Sequence, residues 1–395
     1  MADAKLRAWW AHRQGLDGSL MGQSAGEVLA RTGWARSVAG AGPYLTLFSR
    51  AGLSRAEIDR AVADVAIHEL PAARGCTYVL PSADYALGLK VGQTFTENEN
   101  RVALKLGVTG AEIAKLRAAI LKALADGPLE PDAIRTAVGP AARSLGPEGA
   151  KKGITTTLPV ALGTMQSEGE IRRISLNGRL DQQRYKYALW KPNPLEGWKL
   201  TADQSFVELA RRYFGWTGGA SLAEFQWFSG LSGKAAKAAV EPLRLEPVHL
   251  EPTEGDRLML PEDREAFERF QTPKHPQYAV VSSLDGINQL RRELKSLVAP
   301  EDRERVGLEK QKSVVDLSNH AIFDRGRLVG LWAFDTETGT IAWMSFVKPD
   351  RAMKDAVAKT EAFVRDDLGD ARSFSLDSPK SRAPKIAELR KAAHA

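Results

Sequence analysis

The chain has 395 residues, 43% hydrophobic and 26% charged, with 55 Lys and Arg against 49 Asp and Glu. That length predicts about two to four domains with sizeable cores, and the composition excludes disordered and fibrous classes. A single cysteine, Cys76, excludes an internal disulfide framework.

The first residues lack the apolar run of a signal peptide, and no apolar segment is long enough to predict a membrane span. A cytoplasmic setting is therefore expected. The net charge of +6 and the pI near 9.2 are modestly basic, so they bear on function only where the charge is concentrated.

In chain order, Leu6 to Gln14 reads as a helix and Ser24 to Thr32 as a second. A loop rich in Gly and Ala, Ala39 to Gly42, leads into a third helix from Pro43 through Arg50. Ser54 with Glu57 three residues on is a capping-box pattern that opens a fourth. Arg74 to Leu80 reads as a strand ending at Pro81. Helices followed by a strand is winged-helix order, here over residues 1–95.

Residues 108–192 give the same order more completely. Ile113, Leu116, Ile120, Leu121 and Leu124 have helical spacing, and Asp126-Gly127-Pro128 ends that helix. Glu130 to Val138 predicts a second. Lys151-Lys152-Gly153 leads into the hydroxyl-rich start of a third at Thr155, Thr156 and Thr157, with Pro159 in its first turn. Strands follow at Ile171 to Leu176 and Tyr185 to Trp190. Three helices and a two-stranded wing form a module whose third helix enters the major groove of DNA. From Arg143 to Lys191 there are nine Lys or Arg and four Asp or Glu, as a phosphate-facing surface requires. A solvated face that binds nothing is the bland alternative.

A weaker third unit spans 200–248, with helices from Thr201 to Phe214, after a capping box at Ser221 to Glu224, and from Ser232 to Val240. The three units suggest tandem duplication. Residues 249–395 turn β-rich. Strands are expected at Val248 to Leu250, Arg257 to Leu260, Tyr278 to Ser282, His320 to Asp324, Leu328 to Asp335 and Thr340 to Phe346. A helix from Ala352 to Asp367 follows. The tail from Ser378, with Lys380, Arg382, Lys385, Arg390 and Lys391, is expected as a loosely held basic arm or a plain flexible terminus.

Three segments in register resemble the AlkZ-type winged-helix DNA glycosylases, the family of the YcaQ-like crosslink-repair enzymes. Pro43-Tyr44-Leu45-Thr46-Leu47-Phe48-Ser49-Arg50 resembles the family's Pro-Tyr-Leu-x-Leu-x-x-Arg segment. Ala73-Arg74-Gly75-Cys76-Thr77-Tyr78-Val79 resembles its Arg-Gly-Thr-x-His-x-Val strand. Ile322 to Trp332 resembles its C-terminal β segment ending in Gly-x-Trp. The resemblance implies an α+β fold of tandem winged-helix (helix-turn-helix) units followed by a small C-terminal β-barrel-like domain, with a basic channel for double-stranded DNA. It also implies excision of alkylated or crosslinked purines by hydrolysis of the N-glycosidic bond, by a monomer, without metal or cofactor.

In the family, water is positioned by Gln-x-Gln or Gln-x-Asp a few residues before Pro-Tyr-Leu. Here Arg36, Ser37 and Val38 stand at those positions, and neither glutamine is present. A cation at Arg36 disfavours an oxocarbenium-like sugar, and Val38 cannot hold a water. Arg36 and Ser37 therefore occupy the catalytic positions without the recognised chemistry. A non-catalytic DNA-binding or regulatory protein is the competing reading, and a protein–protein scaffold is a third.

Substitutes for the missing amides were sought among Gln14, Asp17 and Gln23, where a polar loop also reads as a turn joining two helices. His68-Glu69 is a second candidate pair, although a histidine at a helix end on an ordinary surface is the preferred reading. Arg74 reads as either a phosphate contact or a brace, and Tyr78 as either a stacking platform or a strand tyrosine. The phosphate-contacting set is Lys151, Lys152, Thr155, Thr156, Thr157, Arg172, Arg173, Arg184 and Arg74. Six scattered histidines and one cysteine give no zinc spacing, and no phosphate-binding glycine loop is present. Trp332 and Trp343 are expected in the core of the β domain, and Trp9-Trp10 in the packing of the first helix.

Overall fold

The computed structural model describes residues 2–182, 184–248, 257–291, 294–305, 317–374 and 376–393. His249, His394 and the Leu250 end of one expected strand lie outside the described residues.

The N-terminal third contains α1 (Ala2–Arg13), α2 (Ala25–Thr32), β1 (Ala35–Arg36), α3 (Gly42–Ala51), α4 (Arg55–Ala63), β2 (Ile67–Pro71), β3 (Thr77–Pro81) and α5 (Tyr85–Lys105). Ser24 with Glu27 and Ser54 with Glu57 form complete capping boxes, so α2 and α4 begin where their hydroxyls satisfy orphan backbone donors. The three strands make one antiparallel sheet in the order β1-β3-β2, with Arg36 opposite Tyr78 and Glu69 opposite Val79. His68 is thus a buried strand residue opposite Leu80, not the surface histidine at a helix end that the sequence suggested.

Helix α5 is not among the elements expected from the sequence, and it contains Gly88 and Gly92, residues of low helix propensity. Those glycines are points of close approach. A Cβ on Gly88 would come within 2.5 Å of Leu80, and one on Gly92 within 2.9 Å of the Pro71 carbonyl. The helix lies against the sheet because it carries no side chain there.

Next come α6 (Gly110–Ala123), α7 (Pro131–Val138), α8 (Gly146–Lys151), α9 (Thr157–Ser167), β4 (Ile171–Ser175) and β5 (Tyr185–Leu189). Strands β4 and β5 form an antiparallel hairpin in which Arg173 faces Tyr187. This segment has a core of its own, in which Leu116, Ile120, Ile134, Leu162, Ile171 and Tyr187 cluster.

The helices α10 (Ala202–Thr217), α11 (Leu222–Ser229) and α12 (Gly233–Val240) follow. Capping boxes at Thr201/Gln204 and Ser221/Glu224 start the first two. Their core is shared with the N-terminal sheet: Tyr213, Phe225 and Phe228 pack with Trp34, Leu70, Tyr78 and Leu89.

The remaining elements are β6 (Glu246–Val248), β7 (Arg257–Met259), α13 (Pro261–Arg269), β8 (Tyr278–Val281), α14 (Gly286–Gln289), β9 (His320–Asp324), β10 (Arg327–Asp335), β11 (Thr340–Ser345), α15 (Arg351–Ala362) and α16 (Pro379–Ala393). Four strands form an antiparallel sheet in the order β11-β10-β9-β8. Among the described residues it stays open, with β8 and β11 as its edges, and no closed barrel forms. Trp332 is fully buried and Trp343, its cross-strand partner, is half-buried. One face of the sheet shares a cluster with α2, α3 and α4 through Val28, Leu45, Ile58, Val280, Ile322 and Trp332. The other face buries Leu6 and Trp10 of α1 with Val281, Phe323 and Leu331. The first helix thus belongs to the C-terminal core.

The C-terminal tail is no loose arm. Helix α16 packs on β10 and β11, with Ile386 and Leu389 buried. Arg382 holds Asp370 through two hydrogen bonds of 2.7 and 3.0 Å, and Arg390 holds Asp335 at 2.6 Å. Two of its cations, Arg382 and Arg390, are thus paired with acids of the folded domain.

Candidate functional site

Strand β1 sets the first part of the site. Alternation sends Trp34 and Arg36 to one face of the N-terminal sheet and Ala35 and Ser37 to the other. On the first face the Arg36 guanidinium donates to the Thr77 carbonyl at 2.8 Å and lies 5.4 Å from the centre of the Tyr78 ring. Burial pushes the Tyr78 hydroxyl up to about 12. Trp34, Trp227, Phe228, Leu284 and Leu290 complete this wall, leaving a cleft of about 10 Å3. A single water needs roughly 10–15 Å3 on that measure. A nucleobase does not fit without rearrangement.

On the opposite face Ser37 is buried and donates its hydroxyl hydrogen bond to Glu69. Burial raises the proton affinity of the Glu69 carboxyl, opposed by the Ser37 hydroxyl and then by Arg173 and Arg36. Beside it lies a cavity of about 270 Å3 between β2 and the β4–β5 hairpin, lined by His68, Glu69, Arg172, Arg173, Arg179 and Tyr185 among others. Both ring nitrogens of His68 are buried and lack a hydrogen-bond partner. Burial, and then the Arg172 charge, lowers its pKa to about 3, so the ring is neutral near pH 7.

The structure therefore brings Ser37, Arg172 and Arg173 to the Glu69 side of the sheet and leaves Arg36 on the opposite face. Lys151, Lys152, Thr155 and Arg184 do not line that cavity. Lys151 and Lys152 are exposed at the end of α8, and Lys151 pairs with Glu148 at 2.7 Å. Arg184 pairs with Glu130 at 3.2 Å, and Arg143 with Glu112 at 2.8 Å. Acids contributed from outside residues 143–191 thus take up part of the charge surplus counted there. Thr155 is exposed. The Thr156 hydroxyl is buried without a partner, and Thr157, fully buried, accepts the Arg143 N–H at 3.1 Å. Two of the three threonines are therefore structural in position.

Arg74 has φ near 57° and stacks its guanidinium 3.6 Å from the centre of the Trp227 ring, which makes it a brace between the N-terminal sheet and α11. Gln14 is no water-holder. Its amide donates to the Thr32 and Trp216 carbonyls at 2.8 Å each and accepts from Arg50 at 3.3 Å. Asp17 is bonded to His12 at 2.6 Å; burial raises its pKa, but His12 and Ser19 outweigh that and hold it at about 2. Gln23 is exposed.

The cavity at Glu69 was the part sequence reasoning missed. Its signal was the pairing of His68-Glu69 with Arg172-Arg173, which a strand at 67–71 would have aligned.

A mixed α+β chain with a cation-bearing hairpin beside a sheet cavity is the class these observations define. The family model for DNA glycosylases of the AlkZ-like type matches residues 29–370. The chain belongs to the AlkZ-like DNA glycosylase family. The solved structure of the Streptomyces sahachiroi DNA glycosylase AlkZ is similar in fold, with a TM-score of 0.69 at 18% identity, covering 94% of this chain and 98% of that one. No curated protein matches the sequence. Among the described residues no helix is long and apolar enough to cross a membrane.

Proposed function

We propose that this chain is a monomeric, cytoplasmic protein that binds double-stranded DNA through the unit at residues 110–189. The observation that carries this reading is that α6, α7 and α9 close with the β4–β5 hairpin on a core of their own, beside exposed Lys152. This arrangement supports a winged-helix reading, in which α9, the last helix before the hairpin, and the hairpin itself meet the duplex. Lys152 and Arg172 form no ion pair with a described residue and are available to phosphate, whereas Arg173 shares its charge with nearby Glu69. Lys151 and Arg184 are held only by exposed pairs, which exchange readily for phosphate because such pairs are worth roughly 0–1 kcal/mol.

The reaction the family supplies is hydrolysis of the N-glycosidic bond of an alkylated or crosslinked purine. Water attacks the sugar anomeric carbon, the carbon–nitrogen bond breaks with its electron pair leaving on the base, and the attacking water releases a proton to solvent. An N7-alkylated purine is already cationic, so the protein need only hold water and stabilise an oxocarbenium-like sugar. Arg36 opposes that charge at the position where the family places an amide. The second reading, a non-catalytic DNA-binding protein, is favoured by this same contact: Arg36 is committed to Thr77 and Tyr78 beside a cleft of about 10 Å3.

One experiment separates the readings. The full chain is incubated with duplex DNA containing N7-methylguanine, and binding and base release are followed together across salt concentrations. Salt-dependent binding with base release supports the enzyme, and binding without release supports the second reading. Absence of salt-dependent duplex binding overturns the proposal.

A further inference from the structure

The cavity beside Glu69 has an electrostatic imbalance that its own side chains do not resolve. Arg172 and Arg173 both line it, and neither forms an ion pair with any described residue. The Nε of Arg173 is buried without a hydrogen-bond partner while its guanidinium lies 4.6 Å from the centre of the Tyr185 ring. His68 also contributes to the lining, but its ring nitrogens are buried, with the ring against Tyr85 and Trp190. Arg179 is already satisfied by Asp181 and by the Leu368 carbonyl. Glu69 is the one acid in the lining, and Ser37 already binds it.

Two partly desolvated guanidinium groups beside a single acid that a hydroxyl already binds leave excess positive charge, which an anion offsets. Guanidinium groups match phosphate oxygens in a planar, forked geometry, which a lone lysine does not. At about 270 Å3 the cavity is far larger than the roughly 10–15 Å3 that one water requires.

We propose that this cavity is a seat for a phosphate ester of a nucleic-acid strand, built from Arg172 and Arg173, with Glu69 opposing it. The proposal deepens the duplex-binding reading and rests on it for the source of the phosphate. The seat takes either an internal diester of the backbone or the monoester at a strand end. Glu69 tunes the site, since an ionised carboxylate beside a phosphate weakens binding.

The test uses the full chain with two probes. Inorganic phosphate is titrated by calorimetry, and duplexes ending in a 5′-phosphate or a 5′-hydroxyl are titrated by fluorescence anisotropy. Arg172→Ala is expected to weaken phosphate binding about tenfold, and Glu69→Gln to strengthen it several-fold. The opposite sign of the second variant cannot be produced by misfolding. Arg351→Ala, which removes an exposed cation on α15, serves as the control and leaves both unchanged. If the seat takes a backbone diester, Arg172→Ala lowers affinity equally for both duplexes. If it takes a strand end, the 5′-phosphate duplex binds more tightly and Arg172→Ala erases the difference. Phosphate binding that depends on Arg172 without any duplex affinity would overturn the nucleic-acid source together with the duplex reading, while the anion seat stands. Phosphate and duplex affinities that are both indifferent to Arg172→Ala and Glu69→Gln overturn the seat itself.

Discussion

Two groups of arginines in this molecule have opposite fates. Arg50, at the end of the Pro-Tyr-Leu segment, is 0% exposed and meets Asp285 through two hydrogen bonds of 2.7 Å. Asp285 also accepts from Thr46 at 3.2 Å and from the Ile287 N–H at 3.0 Å, so its lone pairs are well used. That lock ties α3 to the chain leaving β8. Arg172 and Arg173, on the hairpin, are partly buried and have no acid paired with them among the described residues. A buried cation with a geometrically matched acid fixes architecture. A half-buried cation without one is available to a ligand.

Breaking the first group should have the largest effect. Asp285→Ala leaves the Arg50 charge buried and uncompensated, which costs about 3–5 kcal/mol. Thermal or denaturant unfolding should show it as a large loss of stability. A variant as stable as the parent would mean that the pair orders nothing.

Next in size is the duplex contact itself. Lys152→Ala should lower duplex affinity and reduce the salt slope by about 1, as loss of one phosphate contact does. Lys151→Ala should do less, because Glu148 already screens that lysine. Equal effects from the two would mean that the Glu148 pair is lost on binding.

The same contrast accounts for what was legible in the sequence. The Pro43-to-Arg50 segment stands out because its tyrosine, leucines and arginine are all buried against distant partners, which leaves little freedom in residue type. The capping boxes at Ser54/Glu57 and Ser221/Glu224 are read from four residues each, and the strands 320–324, 327–335 and 340–345 declare themselves by apolar runs between turns. Helix α5 is hidden because Gly88 and Gly92 are dictated by a neighbouring sheet, which is tertiary information. The buried state of His68 and Glu69 is hidden for a related reason. A five-residue strand carrying a histidine, a glutamate and a proline carries no periodic signal, and only the pairing of β2 with β3 reveals it. The filled cleft at Arg36 follows from Trp227, Phe228 and Leu290, which are distant in sequence.

Titration separates satisfied from unsatisfied burial as well. His320 accepts the Ser283 N–H at 3.0 Å and bonds the Ala371 carbonyl, whereas His68 has neither contact. Burial is the first cause of depression in both, to about 4 for His320 and about 3 for His68. The unfolded chain, with histidine near ~6.5, binds more protons than the folded one below that pH. Stability is therefore fully present above about pH 6.5 and is lost progressively as pH falls toward 4 and then 3. The loss is on the order of 3 kcal/mol for His320. His68→Phe keeps the ring packed against Trp190 and Tyr85 while removing the titration, so it should flatten the acid slope without lowering stability at pH 7. A stability–pH curve unchanged in slope would show that His68 already reaches a proton acceptor.

The smallest effect belongs to the exposed pairs. Arg184 is 77% exposed at the side chain and Glu130 is 41% exposed, 3.2 Å apart. Such pairs contribute roughly 0–1 kcal/mol, because water screens the attraction and both side chains lose freedom. Arg184→Ala should leave unfolding nearly unchanged while lowering duplex affinity, which makes it the cleanest separation of binding from folding on this hairpin. Paired measurement of melting temperature and duplex affinity decides it. A clear drop in melting temperature would place Arg184 with Arg50 among the cations that hold the fold together, and would remove it from the duplex surface.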